Sequence, residues 1–324
     1  MRVLISGISC SLGAFTAQML VKQGYQVRGF SRSIPKDKIV GVEYIPCDLN
    51  SNQLEKIVMG CDLIVHIAAL SSPWGKKDDF YKVNVEGTCN LLKFALKHKV
   101  KRFIYISSPS IYFNYQNHHN ISESYRSKKA VNHYAASKLE AEKHVKLASD
   151  MGLETFILRP KAIFGPGDSV LLPRMIKALN STGIPRFTKE DILLDITYVE
   201  NVAQAIALTL IADKKYCSSA YNITNGSPVH AHLVIKELLQ VTGHTYREKK
   251  INYYLAKSVA YIAEFASKFT RVEPRFTRYS VGSLAFSQTL SLDKAKKELG
   301  YVPIISVEEG IKRYKEWWYE NLSN

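Results

Sequence analysis

Several things are missing from this 324-residue sequence, and each absence excludes a class of protein. Its five cysteines, Cys10, Cys47, Cys61, Cys89 and Cys217, are widely spaced and form no Cys-x-x-Cys pair. An odd, scattered set builds neither a disulfide framework nor a zinc ribbon; it suits a reducing compartment, so a cytoplasmic location is expected. No window approaches ~18 uninterrupted apolar residues, and the most apolar late stretch carries Lys257 and Glu264, so no membrane-spanning helix is expected. Met1 to Gly7 run straight into an apolar strand pattern, without the features of a signal peptide. There is no internal repeat and no low-complexity tract. With 46% hydrophobic and 23% charged residues, the composition is that of an ordinary globular protein.

Acidic residues are the scarce charge: 29 Asp+Glu against 44 Lys+Arg leave a formal net charge of +15. That excess suits anionic partners, phosphorylated cofactors and acidic membranes included, without choosing among them. Nucleic acid is not expected, because the bases are spread along the chain and no zinc-finger, RNP-like or helix-turn-helix signature occurs. His118-His119 lacks further ligands at useful spacing and reads as loop surface, so no metal site is expected.

What is present is an alternation of short β-branched runs with amphipathic stretches, the rhythm of a parallel sheet. Strands are expected at Val3 to Ser6, Gln26 to Phe30, Glu43 to Pro46, Leu63 to Ile67, Arg102 to Ser107 and Glu154 to Arg159. Gly13 to Gln23, Gln53 to Met59, Asn84 to Lys97 and about His133 to Met151 read as helices. Right-handed crossovers then give an α/β, doubly wound Rossmann sheet. The polar stretch Phe113 to Asn132 reads as an excursion loop. The expected division is a dinucleotide-binding core over residues 1–160 and a smaller substrate-binding lobe over 161–324, with about 190–225 returning to the core.

Two local patterns carry chemistry. Gly7-Ile8-Ser9-Cys10-Ser11-Leu12-Gly13 joins the first strand to the first helix, where a tight turn and unpaired N–H groups favour a pyrophosphate. Tyr134 and Lys138 stand four apart on one helix face, so a phenol and an ammonium point together, and a nearby cation lowers a phenol's pKa. A strand end rich in hydroxyls, Tyr105-Ile106-Ser107-Ser108-Pro109-Ser110, lies at the carboxyl edge of the sheet, where ligands bind.

The glycine turn, Ser108, Tyr134-x-x-x-Lys138 and their separations resemble the extended short-chain dehydrogenase/reductases. His66-Ile67-Ala68-Ala69, Asn84-Val85-Glu86-Gly87-Thr88, Leu158-Arg159-Pro160, Gly165-Pro166-Gly167-Asp168, Tyr198-Val199-Glu200-Asn201-Val202 and Leu299-Gly300-Tyr301-Val302-Pro303 match as well. The resemblance runs from residue 3 to about residue 312. Within that superfamily, Ser72-Pro73-Trp74-Gly75, Ser107-Ser108-Pro109-Ser110 and Ala162-Ile163-Phe164-Gly165 are most similar to the branch of 3β-hydroxysteroid dehydrogenases, sterol-4α-carboxylate dehydrogenases and 2-alkyl-3-ketoalkanoate reductases. Nucleotide-sugar epimerases usually carry an Asn where this chain has Ala162, and an alanine supplies no amide hydrogen bonds.

The resemblance implies hydride transfer between a nicotinamide and a hydroxyl or ketone of a hydrophobic, sterol-like or 3-ketoacyl-like substrate. Tyr134 is then the proton donor and acceptor, Lys138 holds the ribose, and Ser108 hydrogen-bonds the carbonyl; Ser107 and Ser110 are open substitutes for Ser108. It also implies a cofactor site formed by Gly7, Ser9, Cys10, Ser11, Leu12, Gly13, Ser31, Arg32, Asp48, Leu49, Ala68, Ala69, Asn84 and Pro160, with Tyr134 and Lys138, and a substrate site with Trp74, Ser110, Lys161 and Ala162. A homodimer is implied by analogy only.

At the end of the second strand, Ser31 and Arg32 stand where NAD-binding proteins offer an acidic residue to the ribose. A guanidinium fork suits a 2′-phosphate, so NADP(H) is expected over NAD(H), with Lys36 and Lys38 as reinforcement. Cys10 departs from the family's Gly-x-x-Gly-x-x-Gly turn. Its side chain stands where backbone normally approaches the pyrophosphate, leaving open a slightly shifted loop or a loss of catalysis; the retained Ser108, Tyr134 and Lys138 favour the former. The alternatives are a nucleotide-sugar epimerase or dehydratase and a non-catalytic dinucleotide sensor.

Residues 246–278 carry Arg247, Lys249, Lys250, Lys257, Lys268, Arg271, Arg275 and Arg278 against Glu248, Glu264 and Glu273. Leu255, Val259, Ile262, Ala263, Ala266 and Phe269 interleave at helical spacing. A core-facing helix, a lid over an apolar substrate and peripheral contact with an acidic membrane are the three readings open there.

Overall fold

The structure, a computed structural model, describes residues 1–187, 192–270 and 272–322. Strands β1 (Arg2–Ser6), β2 (Gln26–Ser31), β3 (Val42–Pro46), β4 (Leu63–His66) and β5 (Arg102–Ile106) form where the apolar runs predict them. β4 and β5 are buried along their whole length, which is why they read as unbroken apolar runs rather than alternating ones. With β7 (Glu154–Pro160) and the strand Ser219–Ile223 they form a seven-stranded parallel sheet, in the order Ser219–Ile223, β7, β5, β4, β1, β2, β3. The strand order reverses between β1 and β4. The carboxyl ends there open a crevice for a ligand.

Helices α1 (Ser11–Lys22), α2 (Leu54–Val58), α3 (Lys77–Phe80), α4 (Gly87–Lys97) and α5 (His133–Asp150) make the early crossovers. Between α3 and α4 the chain takes a π-helical path over Tyr81–Glu86. The expected start of the fourth-strand crossover helix at Asn84 thus falls inside a wider turn that begins earlier.

The stretch expected to be an excursion loop contains a strand, β6 (His118–Ile121), which joins Gln288–Leu290, Leu193–Leu194 and Val229–His230 in a second, four-stranded sheet. His118 is not simple loop surface, since its Nε2 meets Asn114 and the Tyr125 hydroxyl. The pairing partner lies 170 residues away, so no local pattern announces it. The remaining helices used below are α6 (Leu171–Thr182), α7 (Val199–Ile211), α8 (Ala231–Val241), α9 (Tyr253–Thr270) and α10 (Arg278–Ser283).

Several recurring motifs prove to be buried ties. Arg159, fully buried, donates from Nε and Nη2 to both oxygens of Glu142 at 2.8 and 2.5 Å, and from Nη1 to the Tyr112 hydroxyl. Asn201 donates to Asn225 and to the Ile305 carbonyl, and accepts from the N–H groups of Ile304 and Ile305, binding the carboxyl-terminal segment to α7. A buried pair is strongly destabilised when one partner is removed, because the other charge is left unsolvated. Glu142→Ala is therefore expected to lower unfolding free energy by about 3–5 kcal/mol, read from urea denaturation; a loss below about 1 kcal/mol would contradict this account of Arg159.

Candidate active site

The site is assembled where β1, β4 and β5 end. Gly7 has φ +76° and lies so near the next strand's exit that a Cβ would stand 2.9 Å from the Ala68 nitrogen. At Gly13 a Cβ would stand 2.4 Å from the Gly7 carbonyl oxygen, so only glycine lets α1 begin this close to the turn. Ser9 and Cys10 are exposed, Leu12 is buried, and the first-turn N–H groups of Ser11 and Leu12 have no acceptor within the helix. Cys10 is the N-cap of α1: its Sγ accepts from the Gly13 nitrogen at 3.3 Å, so the sulfur serves as a cap. Ser11 Oγ donates to the Pro166 carbonyl at 2.5 Å and Gly167 packs on Ser11, bringing the Gly165–Asp168 loop against the glycine turn.

A buried polar chain runs from this turn to α5. Ser6 Oγ accepts from the N–H groups of Ile67 and Ala68 and therefore donates to His66 Nδ1, at 2.6 Å. Thr88 Oγ1 donates to the Asn84 carbonyl and so accepts from His66 Nε2, at 2.9 Å. Asn84 accepts from the Leu70 nitrogen, and its amide donates to the Leu70 carbonyl and to Ser137 on α5. Both ends of the Asn84 amide are engaged in this tie. His66 must stay neutral to play these parts, and burial, helped by the Lys138 charge, pulls its pKa down to about 3.

Tyr134, Lys138 and Glu142 lie at successive i+4 positions on α5 and point to one side. Lys138 is buried, donates from Nζ to the Ile106 carbonyl at 2.6 Å and lies 4.3 Å from the centre of the Tyr105 ring. Burial pulls its pKa down to about 7, against the pull of Glu142. Tyr134 departs from the expectation that Lys138 sets its acidity. Burial raises its pKa, and what holds it back is hydrogen bonding from Ser108 and Ser71 together with the Arg174 charge.

Three candidate hydroxyls resolve into different roles. Ser107 Oγ is committed to Glu142 at 2.6 Å inside the core. Ser108 meets Tyr134 and caps the short turn Pro109–Tyr112. The buried Ser110 Oγ has no protein partner among the described residues, and the Gln288 amide reaches the carbonyl of the preceding Pro109. Lys161 donates to Gln288 and lies in the field of buried Asp195; burial pulls the lysine down to about 8 and pushes the aspartate up to about 6. Pro160 ends β7 in the core, and Ala162 takes φ +45°, a left-handed conformation.

Around the mouth, the Ser71–Gly75 loop is held by the Trp74 backbone N–H donating to Ser72 Oγ and by Gly75 packing on Phe80, whose ring lies 6.3 Å from that of Tyr134. Asp168 accepts from the nitrogens of Val170, Leu171 and Leu172 and so caps α6, which presents Arg174 to the Ser71 carbonyl at 3.4 Å. Tyr279 of α10 lies edge-on to Phe113 at 5.6 Å; burial, and secondly its nearness to Tyr134, raise the pKa of the Tyr279 phenol. Sequence reasoning missed Ser71, Phe80, Arg174 and Tyr279. The Asp168 cap was the one local signal that a helix, and hence Arg174, would start there.

At the other end of the crevice, Cys47 donates its N–H to the Ser31 carbonyl and Leu49 packs on Gly87, setting Asp48 and Leu49 beside the end of β2. Asp48 is tied to the Asn50 nitrogen. Arg32 is exposed and makes no ion pair among the described residues. The residues thus fit a dinucleotide: a glycine turn closed against Ala68, a helix start whose first N–H groups have no acceptor within the helix, and a cation at each end of the crevice.

The model of the 3-beta hydroxysteroid dehydrogenase/isomerase family matches residues 7–253. The chain belongs to this family. It is an oxidoreductase of the extended short-chain dehydrogenase/reductase type. It is 32% identical over 332 residues to a 2-alkyl-3-oxoalkanoate reductase of Stenotrophomonas maltophilia, covering 97% of this chain and 98% of the relative. It is 36% identical over 275 residues to the decarboxylating sterol-4-alpha-carboxylate 3-dehydrogenase ERG26 of Candida albicans, covering 81% and 78%. In fold it is similar to MoeE5 in complex with UDP-glucuronic acid and NAD, with a TM-score of 0.78, 22% identity and coverage of 99% and 100%.

His66 generates a stability test. Its folded pKa lies below the ordinary 6.5, so the unfolded chain binds the extra proton and stability falls as pH drops from about 6.5 toward 3. Urea unfolding between pH ~7 and ~4 is expected to lose up to about 1.4 kcal/mol per pH unit from this group, and His66→Gln to show the shallower slope. Equal slopes would mean that His66 is not held neutral.

Proposed function

We propose that this chain interconverts a hydroxyl and a ketone on a hydrophobic substrate, with NADP(H) preferred over NAD(H). The observation that carries the reading is Tyr134 beside Ser108 at the mouth of the crevice, one helical turn before the buried Lys138. The cofactor supplies or accepts a hydride when bound. Everything else falls to the chain's own side chains. Burial keeps the Tyr134 phenol protonated near neutrality, so it is armed to give a proton to a substrate carbonyl oxygen as an alcohol forms. Ser108 orients that oxygen. Lys138, lowered by burial, regains its charge beside an anionic ligand and then holds hydroxyls or phosphate by hydrogen bonds.

Support for the substrate class comes from the names of the relatives, one a 2-alkyl-3-oxoalkanoate reductase and one a sterol-4-alpha-carboxylate 3-dehydrogenase. Both names describe a lipophilic body with a carboxylate near the reacting carbon. Arg174 and Lys161 offer cations on the substrate side, and Ala162 offers no amide to a sugar. For the cofactor, the support is Arg32 standing open at the end of β2 with Lys36 and Lys38 exposed nearby.

Tyr134→Phe is expected to lower kcat roughly 10²–10⁴-fold while the Kd for NADPH moves less than about threefold. Turnover like that of the unaltered chain would overturn the assignment. Fluorescence titration is expected to show NADPH binding at least about tenfold tighter than NADH, with Arg32→Ala bringing the two together. A preference for NADH would reject the phosphate site.

A further inference from the structure

α9 is amphipathic in the inverted sense. Tyr254, Leu255, Val259, Ile262 and Phe269 are between 57% and 75% exposed, and Val272 continues the patch at 67%. The side turned to the protein carries Ala260, Glu264 and Ser267. Glu264 accepts there from the Arg278 nitrogen and Nε, both at 2.7 Å. Apolar residues at this spacing ordinarily mark the core-facing stripe. Of the three readings open for this helix, the core-facing one is therefore overturned, because an ion pair and small side chains occupy the inner side.

We propose that the outer face of α9 docks on an anionic lipid bilayer. The only carboxylate within the helix, Glu264, is turned inward, and the exposed acids nearby, Glu248 before the helix and Glu273 beside Val272, are outnumbered by the exposed bases. Exposed Arg247, Lys249 and Lys250 precede the helix and exposed Arg275 follows it; the side chain of Lys268 and all of Arg271 lie outside the described residues. Apolar side chains inserted at the headgroup boundary, flanked by bases that meet phosphate, are what interfacial helices use. A second copy fits this face less well, since it would bring the same bases together in a chain already at +15.

The location gives the docking a purpose. α9 packs on α10, and α10 carries Tyr279 against Phe113 and close to Tyr134. Lys257, on the inner flank, reaches over the Tyr115 ring at 5.5 Å. A lipophilic substrate leaving the bilayer would thus meet the catalytic tyrosine one short helix away. That last step rests on the oxidoreductase reading; the docking itself does not.

Flotation of the full chain with phosphatidylcholine vesicles, with and without phosphatidylglycerol, separates the two. The chain is expected to float with the anionic vesicles at low salt and to release as salt rises. Combined Leu255→Ser, Val259→Ser, Ile262→Ser and Phe269→Ser should weaken partitioning roughly 100-fold or more. Lys249→Gln with Lys250→Gln should weaken it roughly 30-fold, and this pair decides the matter if the serine variant fails to fold. No flotation on anionic vesicles overturns the proposal, as does flotation unchanged in the variants. So does sedimentation showing self-association that the serine changes abolish, which gives the face to a second copy. Ketone-reductase activity without flotation would sink the docking alone, and flotation without activity the oxidoreductase reading alone.

Discussion

The face of α5 that carries Tyr134 and Lys138 hangs on a carboxylate that water does not reach. Glu142 takes both prongs of Arg159 from β7 and the hydroxyl of Ser107 from the end of β5. Those contacts fix the height and rotation of α5 against the sheet, and so fix where Lys138 and Tyr134, one and two turns earlier, emerge. A buried ion pair contributes little net stability over an apolar filling, but it tolerates only one arrangement of its donors.

A second polar tie reaches the same helix from the other side. The Ser6, His66, Thr88, Asn84 and Ser137 chain links the glycine turn, the end of β4, α4 and α5 by bonds whose donors and acceptors are each determined by the neighbour. The glycine-turn end and the α5 end of the crevice are thereby parts of one network. Their separation is set by covalent geometry and hydrogen bonds rather than by soft apolar packing.

Much of this was legible in the sequence because parallel strands buried on both faces write themselves as apolar runs, and because Gly7, Gly13, Tyr134 and Lys138 carry positional requirements that few other residues meet. The less legible parts share one cause, dependence on distant partners. β6 pairs with a strand 170 residues away, Ser107 and Ser108 diverge only because Glu142 claims the former, and Arg174 of α6 reaches the Ser71 carbonyl from 103 residues along the chain. The inversion of α9 was hidden for the same reason: its periodicity is that of a buried helix, and the Arg278 that meets Glu264 on its inner side lies 14 residues away.

The π-helical stretch Tyr81–Glu86 has a consequence for how this fold can change length. An α-helix turns about 100° per residue, so each residue in such a stretch is part of the phase relation between the helical segments on its two sides. Phe80, against Tyr134, lies before it; Thr88 and Leu91, facing His66 and the core, lie after it. Losing one residue between them would restore a tighter pitch and swing one set away from its partners, with no side chain substituted. Chain length in that segment is thus as much a determinant of the site as residue identity.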